Sequence, residues 1–302
     1  WIRDKAQQML VWQSGASFQP AQASKLLTPL CSAPLPQTRA QALHTLAILG
    51  DLPAELLLQA LRDSHPGVRE NALRLAESST DPAVIAAACA LVDDPDAKVR
   101  LQLAFSLGEW QIEPAGNALA SLLRKRKDEP FLVTAALSSA LPHLRALAGI
   151  DDAQIQTRLL PMALAAGQRD VLALLLRPLF ADASSDRWQL LAAFLDTLAA
   201  SGKELRTLHK SDDELATQLR RLPDLLARAR HSFADDSASL KQRLAPAQAL
   251  LRHADTRDAT LSRLAEELAT ATNPADWRLL ADTLADTGAA PRPGQPQRHR
   301  TA

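Results

Sequence analysis

Apolar positions along this chain recur at helical spacing rather than in alternation. The stretches "TRAQALHTLAILG" (38–50), "VRENALRLAESST" (68–80) and "VRLQLAFSLGEWQ" (99–111) align on Arg39, Arg69 and Arg100, which lie 30 and 31 residues apart. After each arginine, Ala or Leu stands three, four and seven places on: Ala42, Leu43, Leu46; Ala72, Leu73, Ala76; Leu103, Ala104, Leu107. That spacing lines one face of a helix. Upstream of the second and third copies come an aspartate and a turn, "DSHPG" and "DDPDAK". Before each turn runs another apolar helix, "PAELLLQALRD" (53–63) or "PAVIAAACALVDD" (82–94). Each unit is therefore predicted to be two antiparallel helices joined by short turns. Asp81-Pro82 and Asn273-Pro274 set a capping side chain directly before a proline suited to the first helical position.

Other stretches follow the pattern more loosely. "WIRDKAQQMLVWQ" (1–13) matches at Arg3, Ala6 and Leu10, whereas "EPFLVTAALSSAL" (129–141) keeps the helix but has Val133 in the arginine place. "DRWQLLAAFLDTLA" (186–199) and "PADWRLLADTLA" (274–285) resemble the opening helix, with Trp188 and Trp277 at apolar positions. About seven helix pairs are expected. Residues 1–145 form well-patterned repeats, 146–287 degenerate repeats continuing the same stack, and 288–302 a disordered tail or linker, rich in Pro, Gly and Arg without periodicity. A single pair cannot bury its apolar face, so stacking is obligatory.

Composition agrees with helix. Aromatics make up 4%, Tyr is absent, and 19 Pro outnumber 10 Gly, so prolines punctuate helices and flexible loops are few. Lys+Arg and Asp+Glu balance at 34 each, which leaves no net field toward nucleic acid or an anionic membrane. A soluble folded protein is expected. No run reaches the roughly 18 apolar residues that span a bilayer, and no n-region followed by an h-region stands at the start, which says nothing about compartment. Because the chain begins with Trp1, a segment of a longer protein is expected.

Candidate chemistry is sparse. GxSxG, GxGxxG, GxxxxGK[ST] and HExxH are absent, as are CxxC and CxxCH. Cys31 and Cys89 read as small buried residues. The seven histidines never stand three or four apart, so no helix offers a pair of metal ligands, and each is expected to be hydrogen-bonded or solvated. The pairs Asp93-Asp94, Asp151-Asp152 and Asp235-Asp236 fall at helix starts or turns, where capping explains them better than acid/base catalysis. Arg124, Lys125, Arg126 and Lys127 form the one dense basic run, a possible contact patch. It closes a helix and runs straight into Asp128 and Glu129, so a solvated helix end is favoured over nucleic-acid contact. The tryptophans read as core or inter-repeat packing.

The pattern D-x-x-x-x-V-R-x-x-A spans Asp63 to Ala72, and again Asp94 to Leu103 with Leu in the last place. It resembles HEAT repeats. The resemblance implies an all-α, right-handed α-α superhelix, a HEAT or armadillo-like solenoid. It also implies a structural ladder of hydrogen-bonded Asp and Arg between successive units, here Asp63, Asp94, Arg69 and Arg100. Arg39 joins the row without an aspartate at the equivalent site. More narrowly, "WIRDKAQQMLV", then "RAQALHTLAILGDLPAELLLQALRDSHPGVRENALRLAE", then "VRLQLAFSLGE" is similar to the helical region of exported, membrane-bound dehydrogenase-like proteins. Those carry a sorbosone-dehydrogenase-like β-propeller, then HEAT repeats, then a c-type cytochrome. The match covers residues 1 to about 141 and implies a periplasmic or cell-envelope location.

The expected function is a non-catalytic scaffold with no catalytic, cofactor or metal residues of its own. Its partners are other proteins or neighbouring domains of the same polypeptide, not nucleic acid; it has no membrane span and is a monomer. The alternative is a HEAT-like enzyme or ligand-binding protein with a site in its concave groove, for nucleic acid or a small molecule. A contiguous pocket with converging polar side chains favours the alternative; an evenly charged shallow groove favours the scaffold. The isolated chain is expected to bind no haem, pyrroloquinoline quinone or zinc; a Soret band or stoichiometric metal on the purified chain would contradict this.

Overall fold

A computed structural model describes residues 2–13, 20–180, 185–202 and 205–285. These residues form helices and turns, with no strand among them, in two compact units, Trp1–Ile150 and Asp151–Ala302. The expected tail at 288–302 lies outside the described residues.

In the first unit the order is α1 (Ile2–Gln13), α2 (Pro20–Leu27, then a 3-10 turn Thr28–Ser32), α3 (Pro36–Ile48), α4 (Ala54–Ala60), α5 (Pro66–Ala76) and α6 (Pro82–Cys89). There follow α7 (Ala97–Ser106), α8 (Glu113–Lys125), α9 (Pro130–Ser138) and the short α10 (Leu144–Leu147). Helices α3, α5, α7 and α9 pack side by side in one layer, with α1 against α3. A second layer runs from α4 through α6 to α8 and closes on α10. Four antiparallel pairs, α2/α3 to α8/α9, thus stack as a solenoid.

Local chemistry sets the ends of these helices. Proline occupies the first turn of α3, α5, α6 and α9, where its missing N–H costs nothing. Asp81 accepts from the Ala83 amide, Asp96 from Lys98 and Val99, and Asn273 from Ala275, satisfying donors that a helix start leaves unpaired. Gly50, at φ +74°, ends α3, and the Asp51 amide returns to the Leu46 carbonyl in a Schellman turn. The helix expected over 82–94 is shorter than its pattern. It tightens into a 3-10 turn at Ala90–Asp93, because Asp94 precedes Pro95 and is held extended (φ −53°, ψ 133°). Likewise the helix expected over 53–63 ends at Ala60, leaving Asp63 in the turn.

The repeated apolar positions form the core. Ala72, Leu73, Ala76, Leu103, Ala104 and Leu107 are fully buried, and Ala42, Leu43 and Leu46 nearly so. At Gly108 a Cβ would come within 2.9 Å of the Ser139 side chain, so glycine there permits the close approach of the α7 and α9 ends. Two tryptophans depart from expectation. Trp110 and Trp188 are buried, but Trp12 is 75% exposed and Trp277 53%. They sit on α1 and the last described helix, which have a neighbouring layer on one side only among the described residues.

The second unit contains α11 (Ala153–Ala165), α12 (Arg169–Leu176), α13 (Ser185–Ser201), α14 (Leu205–Leu208), α15 (Glu214–Leu219), α16 (Leu222–Ala234), α17 (Leu240–Leu250), α18 (Ala254–Thr270) and α19 (Pro274–Ala285). Helices α11, α13, α17 and α19 pack in succession; α12 and α15 pack together, as do α16 and α17 and α18 and α19. The layering persists, but α14 to α16 interrupt the simple alternation of pairs.

Leu73→Asp or Leu103→Asp places a charge on a face shared between repeats. Either is expected to cost more than about 4 kcal/mol and collapse the thermal melt of the first unit, while Ile48→Gln, on an exposed site, changes stability by less than about 0.5 kcal/mol. Circular dichroism melts unaffected by the leucine substitutions would show the repeat register to be wrong.

Candidate functional site

The arginines that anchor the sequence repeat meet carboxylates across the layer of α3, α5, α7 and α9. Arg39 donates from Nε and Nη2 to the two oxygens of Asp63 at 2.7 and 2.6 Å. Arg69 grips Asp94 in the same fork, at 2.7 Å on both arms. The remaining nitrogen, Nη1, bonds carbonyls of the arginine's own preceding turn: Ala33 and Pro34 for Arg39, Asp63 and Ser64 for Arg69, Asp94 and Pro95 for Arg100. Each aspartate in turn accepts an amide from its own turn, Asp63 from His65 and Asp94 from Asp96. Every rung therefore ties one repeat's helix to the next repeat's turn. Arg39 needs no aspartate in its own unit, since Asp63 of the next one serves it.

The third rung differs. Arg100 reaches Glu129, with Nη2 at 3.0 and 3.2 Å from the two oxygens, while its buried Nε has no partner. Where α9 has Val133 in place of an arginine, the position matching Asp63 and Asp94 is Lys127, and the longer Glu129 side chain supplies the carboxylate from two residues further on. The alignment offered no motif for Glu129; the only signal was the acidic pair Asp128-Glu129 just before Pro130.

The first two rungs are largely shielded from water, whereas Glu129 of the third is partly exposed, and the electrostatics follow. Burial by itself would raise the Asp94 carboxyl, but the Arg69 guanidinium and the Asp96 amide outweigh it and hold the group below its ordinary 3.8. Asp63 is held down in the same way by Arg39 and the His65 amide against its own burial. Arg69 and Asp94 leave only 11% and 3% of their side chains exposed.

A second polar row runs alongside. Two and five residues after each ladder arginine stand Gln41 and His44, Asn71 and Arg74, Gln102 and Phe105. The fifth position of one helix bonds the second of the next: His44 Nε2 lies 2.8 Å from Asn71 Oδ1, and Arg74 Nε 2.7 Å from Gln102 Oε1. Gln41 donates to Gln7 of α1, which stands four places after Arg3. Gln102 and Ser106 both donate to Glu77, closing a network between α5 and α7. The row stops at Phe105, for α9 presents buried Ala135 in the matching place. Phe105 is 48% exposed, and Phe131 at the start of α9 is 84% exposed.

The basic run is largely engaged. Arg124 and Lys125 lie in the last turn of α8; Lys125 pairs with Asp93 at 2.6 Å, and Arg126 stands 3.7 Å from Glu129. Of the adjacent carboxylates, Asp152 caps α11, Asp235 accepts from the Ser237 amide and Asp236 pairs with Arg263 at 2.9 Å. Asp96 caps α7, while Asp94 stands in the preceding turn and takes the Arg69 fork. Cys31 is buried and Cys89 half-buried, both as free thiols, with burial pushing Cys89 up to about 11.

The histidines divide. His143 Nε2 is 2.9 Å from the Leu107 carbonyl, and His65 accepts from the Gly67 amide. His209 and His253 are half-buried, and one nitrogen of each ring, His209 Nε2 and His253 Nδ1, is shielded from water with no partner. No group of three or more His, Cys, Asp or Glu among the described residues is placed to hold a metal.

The second unit repeats the Arg–carboxylate device, once at the first unit's separation, 24 residues from Arg243 to Glu267, and once over 44 residues, from Arg169 to Asp213. Arg169 forks onto Asp213 at 2.5 and 3.0 Å, and Arg243 onto Glu267 at 2.8 and 3.1 Å. The Arg169 guanidinium, with the Ala216 amide, pulls the Asp213 carboxyl down to about 2.

Stacked antiparallel pairs pinned by an Asp–Arg ladder define an α-solenoid repeat. Residues 54–142, from α4 to the turn after α9, match the family of HEAT repeats, and these carry Asp63, Arg69, Asp94, Arg100 and Glu129. A comparison with curated proteins found no match. HEAT repeats point to a scaffold or protein-interaction module. Among the described residues no helix is long and apolar enough to cross a membrane.

Arg69→Met strands the Asp94 carboxylate in the core and is expected to cost about 3 kcal/mol in urea denaturation, whereas Lys125→Met, removing a half-exposed pair, costs less than about 1 kcal/mol. Because Asp63 and Asp94 titrate below their ordinary value when folded, their contribution is complete above pH 3.8 and fades as pH falls through the lowered values. In Arg69→Met the Asp94 share of that acid sensitivity should vanish.

Proposed function

We propose that this chain is a non-catalytic interaction scaffold whose contact surface is the outer face of α7 and α9, centred on Phe105 and Phe131. The carrying observation is the change in that layer's surface: polar side chains bridge α1 to α7, the row then ends on exposed Phe105, and Phe131 stands exposed on the neighbouring α9. Large aromatics on rigid helices supply contact area at little entropic cost and form the anchors of protein interfaces. The occupant we assign is an apolar patch on a neighbouring domain of the same longer polypeptide.

The resemblance to exported, membrane-bound dehydrogenase-like proteins supplies candidates for that neighbour, a β-propeller on one side and a c-type cytochrome on the other. In this proposal the repeats hold the two modules at a fixed separation, and the redox chemistry belongs to them. Nucleic-acid binding gains no support from the basic run, since Lys125 is engaged by Asp93.

The test uses the full-length protein with a photo-crosslinking residue at position 131 and a control at exposed Arg62. A cross-link from 131 to a flanking module, absent from 62, is expected, and Phe131→Ser should remove the contact while changing stability by less than about 0.5 kcal/mol. Equal cross-linking from both sites would refute the surface. A reading frame with neither a propeller nor a CxxCH would refute the redox parent and leave the surface standing.

A further inference from the structure

A cavity of about 320 Å³ opens within the second unit, bordered by α14, α15, α16 and the start of α18. Its wall is apolar on one side, with Leu205, Leu219, Leu222, Pro223 and Leu226. The other side is polar: His209, Arg230, His253, Asp255 and Thr256. His209 Nε2 and His253 Nδ1 are both buried and both without a hydrogen-bond partner, although they come from segments 44 residues apart in sequence. An unpaired buried polar atom carries a desolvation cost, and of the eight such side-chain atoms among the described residues these two border one cavity, where a single ligand can reach both. His253 stands at the N-cap of α18 yet its side chain makes no capping bond, so its ring is spared for the cavity.

We propose that this cavity binds a small carboxylate with an apolar body. Its volume lies within the range of small-molecule pockets, and an apolar wall facing a few convergent polar groups is their usual make-up. Each imidazole donates one hydrogen bond when the ring proton sits on the orphaned nitrogen, which suits an acceptor-only head group. Charge favours an anion. Arg230 lies mid-helix on α16, makes no ion pair among the described residues and borders the cavity. The opposing Asp255 sits in the first turn of α18, where the positive end of the helix offsets it. A metal ion is a poorer occupant, since among the described residues no third ligand completes a set with the two imidazoles. The site is independent of the contact surface on α7 and α9, so either can fail without the other.

The probes are octanoate and 4-phenylbutyrate, titrated calorimetrically into the full chain, with octanamide and octylammonium as matched neutral and cationic tails. Saturable binding of the acids, shifts of the His209 and His253 ring resonances, and about tenfold weaker binding of octanamide are expected, from loss of a charge-assisted hydrogen bond. Arg230→Gln, on an exposed residue that should not disturb folding, is expected to weaken octanoate about tenfold by the same loss. The proposal is overturned if neither acid binds at millimolar concentration, if octylammonium or octanamide binds as tightly as octanoate, or if Arg230→Gln leaves affinity unchanged.

Discussion

An arginine inside a protein must find acceptors for five N–H donors, and in the first unit that demand organises the stack. Arg69 meets it with two carbonyls of its own turn and both oxygens of Asp94 in the next unit. The carboxylate in turn needs the guanidinium, since it is almost sealed from water. Such a pair adds little net stability over a well-packed apolar alternative, because desolvating both charges offsets their attraction. What it does is penalise every other arrangement. A slip of one helix pair against the next would leave a buried cation and a buried anion unpaired, so the ladder sets register while Leu73, Leu103 and their neighbours supply the cohesion.

Register explains the smaller features around it. Asp94 is extended because Pro95 follows, and that extension points its carboxylate back toward Arg69. Asp96 takes over the cap of α7, so one short turn supplies a rung and a helix start with separate residues. Gly108 lets the end of α7 approach Ser139 closely. Beyond Glu129 no arginine continues the row on α9, and the exposed aromatics appear where the polar bridging ends.

Much of the first unit was legible in the sequence because its determinants are local and repeated. The arginine and the apolar residues three, four and seven places on recur at nearly constant spacing, and the helices fall where they predict. The polar row was equally present, as Gln41, Asn71 and Gln102, but its meaning depends on which residue of the next helix stands opposite. Glu129 was hidden because a longer side chain substitutes from a shifted position. The second unit was less legible: α14 to α16 break the period, and Arg169 meets Asp213 over a separation that no motif records. The two orphaned imidazoles are brought together only by tertiary packing, and neither carries a local signal. Trp12 and Trp277 have the spacing of core residues but lie on helices flanked on one side only, which periodicity does not reveal.

The scaffold account rests on the ladder coupling successive repeats, and a double-mutant cycle on Arg69 and Asp94 tests that most directly. With Arg69→Met, Asp94→Leu and the double variant compared by urea denaturation, the account predicts a coupling energy of about 2 kcal/mol or more, with the double variant nearer the parent than the stranded-charge Arg69→Met. A coupling below about 0.5 kcal/mol would mean that the two residues act independently and that packing alone sets the register.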